Sequence, residues 1–354
     1  LSSVIAANAD EEEVLFTQNW DVEYMGLTTE DTHSIKLDTS GDRRYVLSFY
    51  DGGNNKVDMP LAYAVAQYNL SMGEEASSKA LVLAETTAIA KDDYFVITGG
   101  TAAGDKKSFV LQYKGADDLD KSSPKLKFKN LGNGETLEYS AATTDPRATL
   151  NLGGYSFDVK NASDTALADD WTIFVEMNDD GDTLEGTNVL IEDYFGAQFT
   201  VALGGLGNST TEDQLNVTIE TPNTDDYDTE APMPLVLRVT SDNNIEVSSS
   251  LGAPSGTTNS LLKPEGESDV AYGYTTMGGK VTWKTPSSAP ETLEYGYPKS
   301  QVLPQVYVTS GAVTSTSSAG GVATAVAVVD ATKLDSEIAD ATAQNLLVIG
   351  GPCV

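Results

Sequence analysis

The sequence predicts a mainly β protein: antiparallel, β-sandwich-like domains followed by a short α/β unit at the C-terminal end. Three observations carry this. Short apolar runs rich in Val, Ile, Tyr, Phe and Thr recur along most of the chain. Turns containing Gly, Asn and Asp separate them at hairpin spacing. Only the last stretch switches to a helical period, and it does so between two continuous apolar runs.

Residues 1–13 form a polar lead-in that ends in Asp10-Glu11-Glu12-Glu13. A first β-domain is expected over residues 14–147. In it, Tyr45-Val46-Leu47-Ser48-Phe49-Tyr50 runs into Asp51-Gly52-Gly53-Asn54-Asn55, a strand followed by a hairpin turn. Residues 95–98 and 109–113 flank the glycine-rich stretch 99–104. That stretch lacks a Gly-Lys-Ser/Thr and a following helix, so it reads as a turn and not as a phosphate cradle. Lys125-Leu126-Lys127-Phe128-Lys129 alternates wet and buried positions, and Asn133-Gly134 turns it into the strand at 136–139.

Asp145-Pro146 marks a boundary near residue 147. A β-sandwich domain is expected over 148–250, with strands at 155–159, 171–177, 188–203, 215–220 and 235–247, the last turning at Asp242-Asn243-Asn244. Residues 251–269, rich in Gly, Pro, Ser and Thr, read as a linker. A further β segment covers 270–310, and a second Ser/Thr/Gly linker covers 311–321. The final unit, 322–354, reads as strand, helix, strand. Residues 322–329 are an unbroken apolar run, and Thr332-x-x-Asp335 is a capping box. Leu334, Ile338 and Ala341 share one helical face, and residues 346–349 form the second strand before Gly350-Gly351-Pro352. Such a crossover favours a parallel, right-handed pairing. Strands this apolar need covering on both faces, so the unit is expected to be incomplete and Val354 to be the edge of a fragment.

The final residues also carry a resemblance. Leu334 to Val354, LDSEIADATAQNLLVIGGPCV, is similar to the segment of archaeal surface-layer (S-layer) glycoproteins that bears an LDTEV-like helix and a VVGGPCVN-like strand end. Upstream, Tyr274-Thr275-Thr276-Met277-Gly278-Gly279-Lys280-Val281-Thr282-Trp283, then Leu293-Glu294-Tyr295-Gly296-Tyr297-Pro298-Lys299-Ser300-Gln301-Val302, resembles the YTxxGTKVxW…YPxxQV region of the same family. The two blocks stand in the family's order and cover about a quarter of the chain, residues 270–354. The resemblance implies an extracellular, glycosylated, self-assembling protein whose β-domains are inserted between flanking α/β halves. Family members begin with a signal peptide and continue past the GGPCV segment, so a chain spanning Leu1 to Val354 is expected to be processed or partial.

Composition narrows function independently. With 53 acids against 21 bases the net charge is −32, which argues against nucleic acid and anionic membrane surfaces as partners, since both need a basic face. It suits brine, divalent cations, or the need to stay hydrated at high local density. Cys353 is the single cysteine, so no internal disulfide can form, and no run of eighteen apolar residues is present to span a membrane.

Catalytic constellations are scarce. His33 is the single histidine, which excludes a multi-histidine metal site and weakens any histidine-based triad. Among so many acids a carboxylate pair carries no signal. A calcium reading fits one loop best: in Asn178-Asp179-Asp180-Gly181-Asp182-Thr183-Leu184-Glu185, Asp179, Asp180, Asp182 and Glu185 could supply oxygens around a turn that Gly181 permits. Asp117-Asp118-x-Asp120 and Asp225-Asp226-Tyr227-Asp228-x-Glu230 are lesser candidates. Sequons at Asn69, Asn161, Asn208 and Asn216 are the candidate acceptors of N-linked glycans.

The expectation is therefore a non-enzymatic structural subunit of an archaeal surface layer, at the cell surface, whose partners are copies of itself. The alternatives are a subunit of an extracellular filament built from S-layer-like domains, or a secreted carbohydrate-binding module using Trp171, Trp283 or tyrosines.

Overall fold

A computed structural model describes residues 21–28, 32–41, 43–75, 78–102, 105–117, 124–142, 145–162, 171–181, 184–204, 213–220, 233–239, 242–247, 261–274, 278–298 and 302–309. The described elements are all β-strands, arranged mostly as antiparallel sheets. The lead-in at 1–13, residues 251–260 of the linker expected over 251–269, the linker at 311–321, and the strand-helix-strand unit at 322–354 with Cys353 lie outside the described residues; the rest of the first linker is described, and in it Leu262 bridges to Tyr272. Among the described residues no helix is long and apolar enough to cross a membrane.

The chain divides into two compact units, one formed by Leu1–Thr28 with Leu303–Val354 and the other by Thr29–Val302. In the first, β1 (Asp21–Leu27) pairs antiparallel with β22 (Pro304–Thr309). A bulge between Tyr24 and Gly26 interrupts the register, and Gly26 takes φ +103°, a conformation only glycine adopts without strain. At the ribbon's end the Thr28 amide donates to the Leu303 carbonyl at 2.9 Å, and the Leu303 amide to the Thr28 hydroxyl at 3.0 Å. The chain thus leaves this unit and re-enters it at adjacent residues, with everything between inserted.

Among the described residues the inserted unit holds four sheets. The largest has seven strands, in the order β19 (Val270–Tyr274), β20 (Lys280–Lys284), β21 (Thr292–Pro298), β2 (Thr32–Thr39), β3 (Arg44–Tyr50), β4 (Lys56–Ala66) and β5 (Asn69–Met72). Its central pairing, Ile35 opposite Tyr295 and Leu37 opposite Leu293, joins strands some 260 residues apart. A five-stranded sheet runs β10 (Thr136–Ser140), β9 (Lys125–Asn130), β8 (Lys107–Asp117), β7 (Tyr94–Gly99) and β6 (Leu81–Val82). A three-stranded sheet is made of β11 (Ala148–Leu152), β12 (Tyr155–Asn161) and β13 (Ile173–Val175). The last, also five-stranded, runs in sequence from β14 (Ile191–Glu192) through β15 (Gln198–Gly204), β16 (Gln214–Glu220) and β17 (Met233–Val239) to β18 (Ile245–Val247).

Alternation explains these strands. In β9 Leu126 and Phe128 are buried while Lys125, Lys127 and Lys129 face outward; β16 buries Leu215, Val217 and Ile219. The expected hairpins at Asp51–Asn55, Asn133-Gly134 and Asp242-Asn243-Asn244 are present, the latter two with Gly134 at φ +75° and Asn243 at φ +63°. The stretch expected as one strand over 188–203 is instead two, β14 and β15, folded back at Asp193–Gly196. A single buried apolar cluster, from Ile35 to Tyr297, runs through all four sheets of this unit. Phe49 of β3 meets Phe199 of β15 edge to face, ring centroids 4.9 Å apart.

Candidate functional site

The acidic loop marked by the sequence for calcium follows β13, and two carboxylates outside the acidic run hold it. Glu85, 3 % exposed, lies across its base: Oε1 accepts the Met177 amide at 2.6 Å and Oε2 the Glu185 amide at 3.1 Å. Glu176, also buried, accepts the Gly181 amide through Oε1 at 2.6 Å. Charge-assisted bonds of this kind are about twice as strong as neutral ones, so both acids are consumed in shaping the loop.

The predicted ligands themselves point to separate partners. Asp179 takes φ +54° in the turn. Burial pushes its carboxyl upward, opposed by a hydrogen bond from the Ser156 backbone and reinforced by neighbouring Asp180. Asp180 is exposed and accepts the Asn178 side-chain amide at 2.8 Å; Glu185 accepts the Thr187 hydroxyl at 3.2 Å. Asp182 lies outside the described residues. Among the described residues no three acids, histidines or cysteines gather at one point in metal-binding geometry. Of the lesser acidic runs, Asp117 closes β8 in an ion pair with Lys127, while Asp118, Asp120 and residues 225–230 lie outside the described residues.

The same use of acids recurs across the inserted unit. Asp93 accepts the Ala80 amide on Oδ1 and the Ala90 amide on Oδ2, both at 2.9 Å. Asp51, fully buried, gathers the Gly53 and Asn55 amides on Oδ1, each at 2.9 Å, and so shapes the β3–β4 hairpin. Asp213 reaches from the start of β16 to the Leu70 amide of β5 at 2.9 Å, while its own amide donates to the Tyr68 carbonyl. Glu291 accepts the Val247 amide at 3.0 Å, and the Tyr45 hydroxyl donates to the Glu291 carbonyl at 2.6 Å. Burial raises the carboxyls of Asp51, Asp93 and Glu291 above the usual carboxylate range.

Asp193 is the most strongly perturbed. It is 2 % exposed and folds β14 back onto β15 by accepting the Phe195 amide at 3.0 Å and the Ala197 amide at 2.9 Å on Oδ1. Its Oδ2 receives the Tyr297 hydroxyl of β21. Burial pushes its carboxyl up to about 6 despite those donors. His33, in β2 beside this turn, stacks flat on Phe195 with ring centroids 3.2 Å apart. Sequence reasoning missed Glu85, Asp193 and Asp213: Glu85 stands alone among apolar and small residues, and Asp193 and Asp213 each follow a single glutamate, too short a run to stand out in so acidic a chain. The signal in hindsight is an acid at a strand end or turn, where unpaired amides gather.

The sequons fare differently. Asn69 is exposed at the first position of β5. Asn161 ends β12 half-buried, with Oδ1 accepting from the guanidinium of Arg147, itself stacked over Trp171 at 3.9 Å. Asn216 is half-buried within β16, between β15 and β17. Asn208 lies outside the described residues. Trp171 is 7 % exposed beneath Arg147, and Trp283 is partly buried against the core.

No family model matches the chain, and no curated protein matches it.

Proposed function

We propose that the protein is a non-enzymatic structural subunit of an archaeal cell-surface layer, exported and glycosylated, which assembles with copies of itself into a lattice. The observation that carries this reading is the use of buried acids. Glu85, Asp93 and Asp213 take backbone amides from other segments, while Glu176 and Asp193 take amides of their own turns and Asp193 also receives the Tyr297 hydroxyl of another sheet. Carboxylates arranged for acid–base work converge on a shared cleft; these are dispersed and spent on rigidity. A block whose described elements are all strands around one continuous core is what a repeating scaffold needs, because symmetry then multiplies each modest contact into a lattice.

The resemblance of residues 270–354 to S-layer glycoproteins supports the same reading, as does the insertion of the large unit between the two strands of a ribbon. Surface acids beyond those used as clamps would be neutralised by calcium or other divalent ions where subunits meet. The test is sedimentation of the purified chain across a concentration series, with and without millimolar calcium. A species that grows with concentration supports the proposal. A monomer at every concentration and cation content contradicts it.

A further inference from the structure

We propose that the apolar face of the β1–β22 ribbon is the seat of this chain's own residues 322–354, with Leu334, Ile338 and Ala341 laid against Tyr24, Leu27 and Val306. The inference stands apart from the assembly reading, since it concerns a contact within one copy.

Exposed apolar side chains concentrate on this ribbon. Ten large ones are exposed among the described residues, and six of them, Tyr24, Met25, Leu27, Leu303, Val306 and Tyr307, lie on the ribbon or next to it. The register gathers several on one side. Tyr24 stands opposite Val306 and Leu27 opposite Pro304. Residues three apart on a regular strand point to opposite faces. The bulge between Tyr24 and Gly26 inserts the extra residue that brings Leu27 round to the side of Tyr24. Gly26 and Gln305 pair on the other side. Tyr24 is 61 % exposed, and Leu27 and Val306 are each 55 % exposed. A patch of this kind marks a surface that another element covers. A two-stranded ribbon also needs such cover, because alone in water it is marginally stable at best.

Size decides between the occupants. The longer strand has seven residues, so the face is about 23 Å long and about 10 Å wide. Two copies meeting through it would bury far less than the roughly 800 Å² per partner of a stable interface. One helix fits it instead, being about 10 Å across and, at about twelve residues, about 18 Å long. The sequence that follows β22 supplies a helix of that length. It opens at the Thr332-x-x-Asp335 box and carries Leu334, Ile338 and Ala341 on one face, a face that must itself be buried. The tether suffices: β22 ends at Thr309, and residues 310–321 reach up to about 40 Å. Such a tether holds the segment at an effective concentration of about millimolar, which favours it over a second copy. The apolar runs at 322–329 and 346–349 then extend the ribbon into a wider sheet beneath the helix.

The experiment uses the full chain at a dilution where it is monomeric. In a C353S background, V306C/I338C is expected to form a disulfide within one copy at least about tenfold faster than T200C/I338C, in which the partner position is exposed on β15. Hydrogen exchange supplies a second reading. The Thr28 amide, which donates to the Leu303 carbonyl, and the Leu303 amide, which donates to the Thr28 hydroxyl, should exchange at least about tenfold faster in I338D than in wild type. Ile97 in β7 should be unaffected, which establishes that the rest of the chain is folded. D340N, on the opposite side of the helix, should exchange as wild type. A V306C/I338C disulfide no faster than the control, or one formed only between copies, overturns the proposal. Unchanged exchange at Thr28 and Leu303 in I338D overturns it as well. None of these results bears on whether copies assemble, so this contact and the assembly reading fail separately.

Discussion

The Tyr297 hydroxyl hydrogen-bonds the buried carboxylate of Asp193, and through this contact the seven-stranded sheet holds the turn that opens the β14–β18 sheet. The two residues are 104 positions apart in the chain, yet the pair sits where two sheets must be kept in register.

Asp193 should make stability depend on pH in a specific direction. Its carboxyl is raised from the ordinary 3.8 to about 6, so the native chain holds this proton more tightly than the unfolded one. The stability contributed by the protonated form is complete below the ordinary value and is lost as pH rises through about 6. Urea unfolding at a series of pH values from 3 to 8 should therefore show wild type losing stability relative to Asp193→Asn across this window, with no further divergence above it. An unchanged difference between the two proteins over the whole range would refute the assignment.

Removing the donor tests the same pair from the other side. Tyr297→Phe leaves Asp193 Oδ2 buried without its donor and should cost about 1–3 kcal/mol near neutral pH. The cost should shrink in Asp193→Asn/Tyr297→Phe, as read by a double-mutant cycle.

Glu85 is predicted to be the fastener of the acidic loop. Glu85→Ala strands the Met177 and Glu185 amides, which now donate to it at 2.6 and 3.1 Å. Hydrogen exchange at those two amides should accelerate far more than at Ile97 in the core strand β7, with a global loss of about 2–4 kcal/mol.

Close packing predicts the effect of one glycine. A methyl group on Gly99 would lie 2.1 Å from Cγ of Tyr155, too near the ring's root to be relieved by a rotamer change. Gly99→Ala should destabilise by about 1–3 kcal/mol, and Tyr155→Ala in the same chain should recover part of the loss by thermal melting.

Much of the fold is legible in the residues because it is local. The alternation of Lys125 to Lys129 and the Asn133-Gly134 turn define a hairpin without reference to anything else. The β14–β15 fold-back is harder: residues 188–203 are apolar enough to read as one strand, and what breaks it is a single aspartate collecting amides, an event with no periodic signature. Sheet composition is harder still. β2 lies beside β21 through side-chain fit between Ile35, Leu37, Leu293 and Tyr295, and nothing in either strand alone names its partner. For the acidic loop, the cluster of carboxylates was visible, but the Glu85 that positions it comes from a segment 100 residues away from Glu185.

The glycan prediction follows from exposure. Asn69 stands at the exposed start of an edge strand, whereas Asn216 is half-buried between two neighbouring strands. Peptide mapping of protein taken from its native source should find Asn69 carrying glycan at higher occupancy than Asn216. The reverse order would remove surface exposure as the determinant.

The central claim is that this chain exists to contact its own copies. Electron cryo-microscopy of the native assembly on the cell surface tests it most directly. The expected result is a regular two-dimensional lattice or filament in which this β block repeats at a fixed spacing. Isolated single copies with no repeating contact, or a repeat built from other proteins with this chain held singly between them, would contradict it.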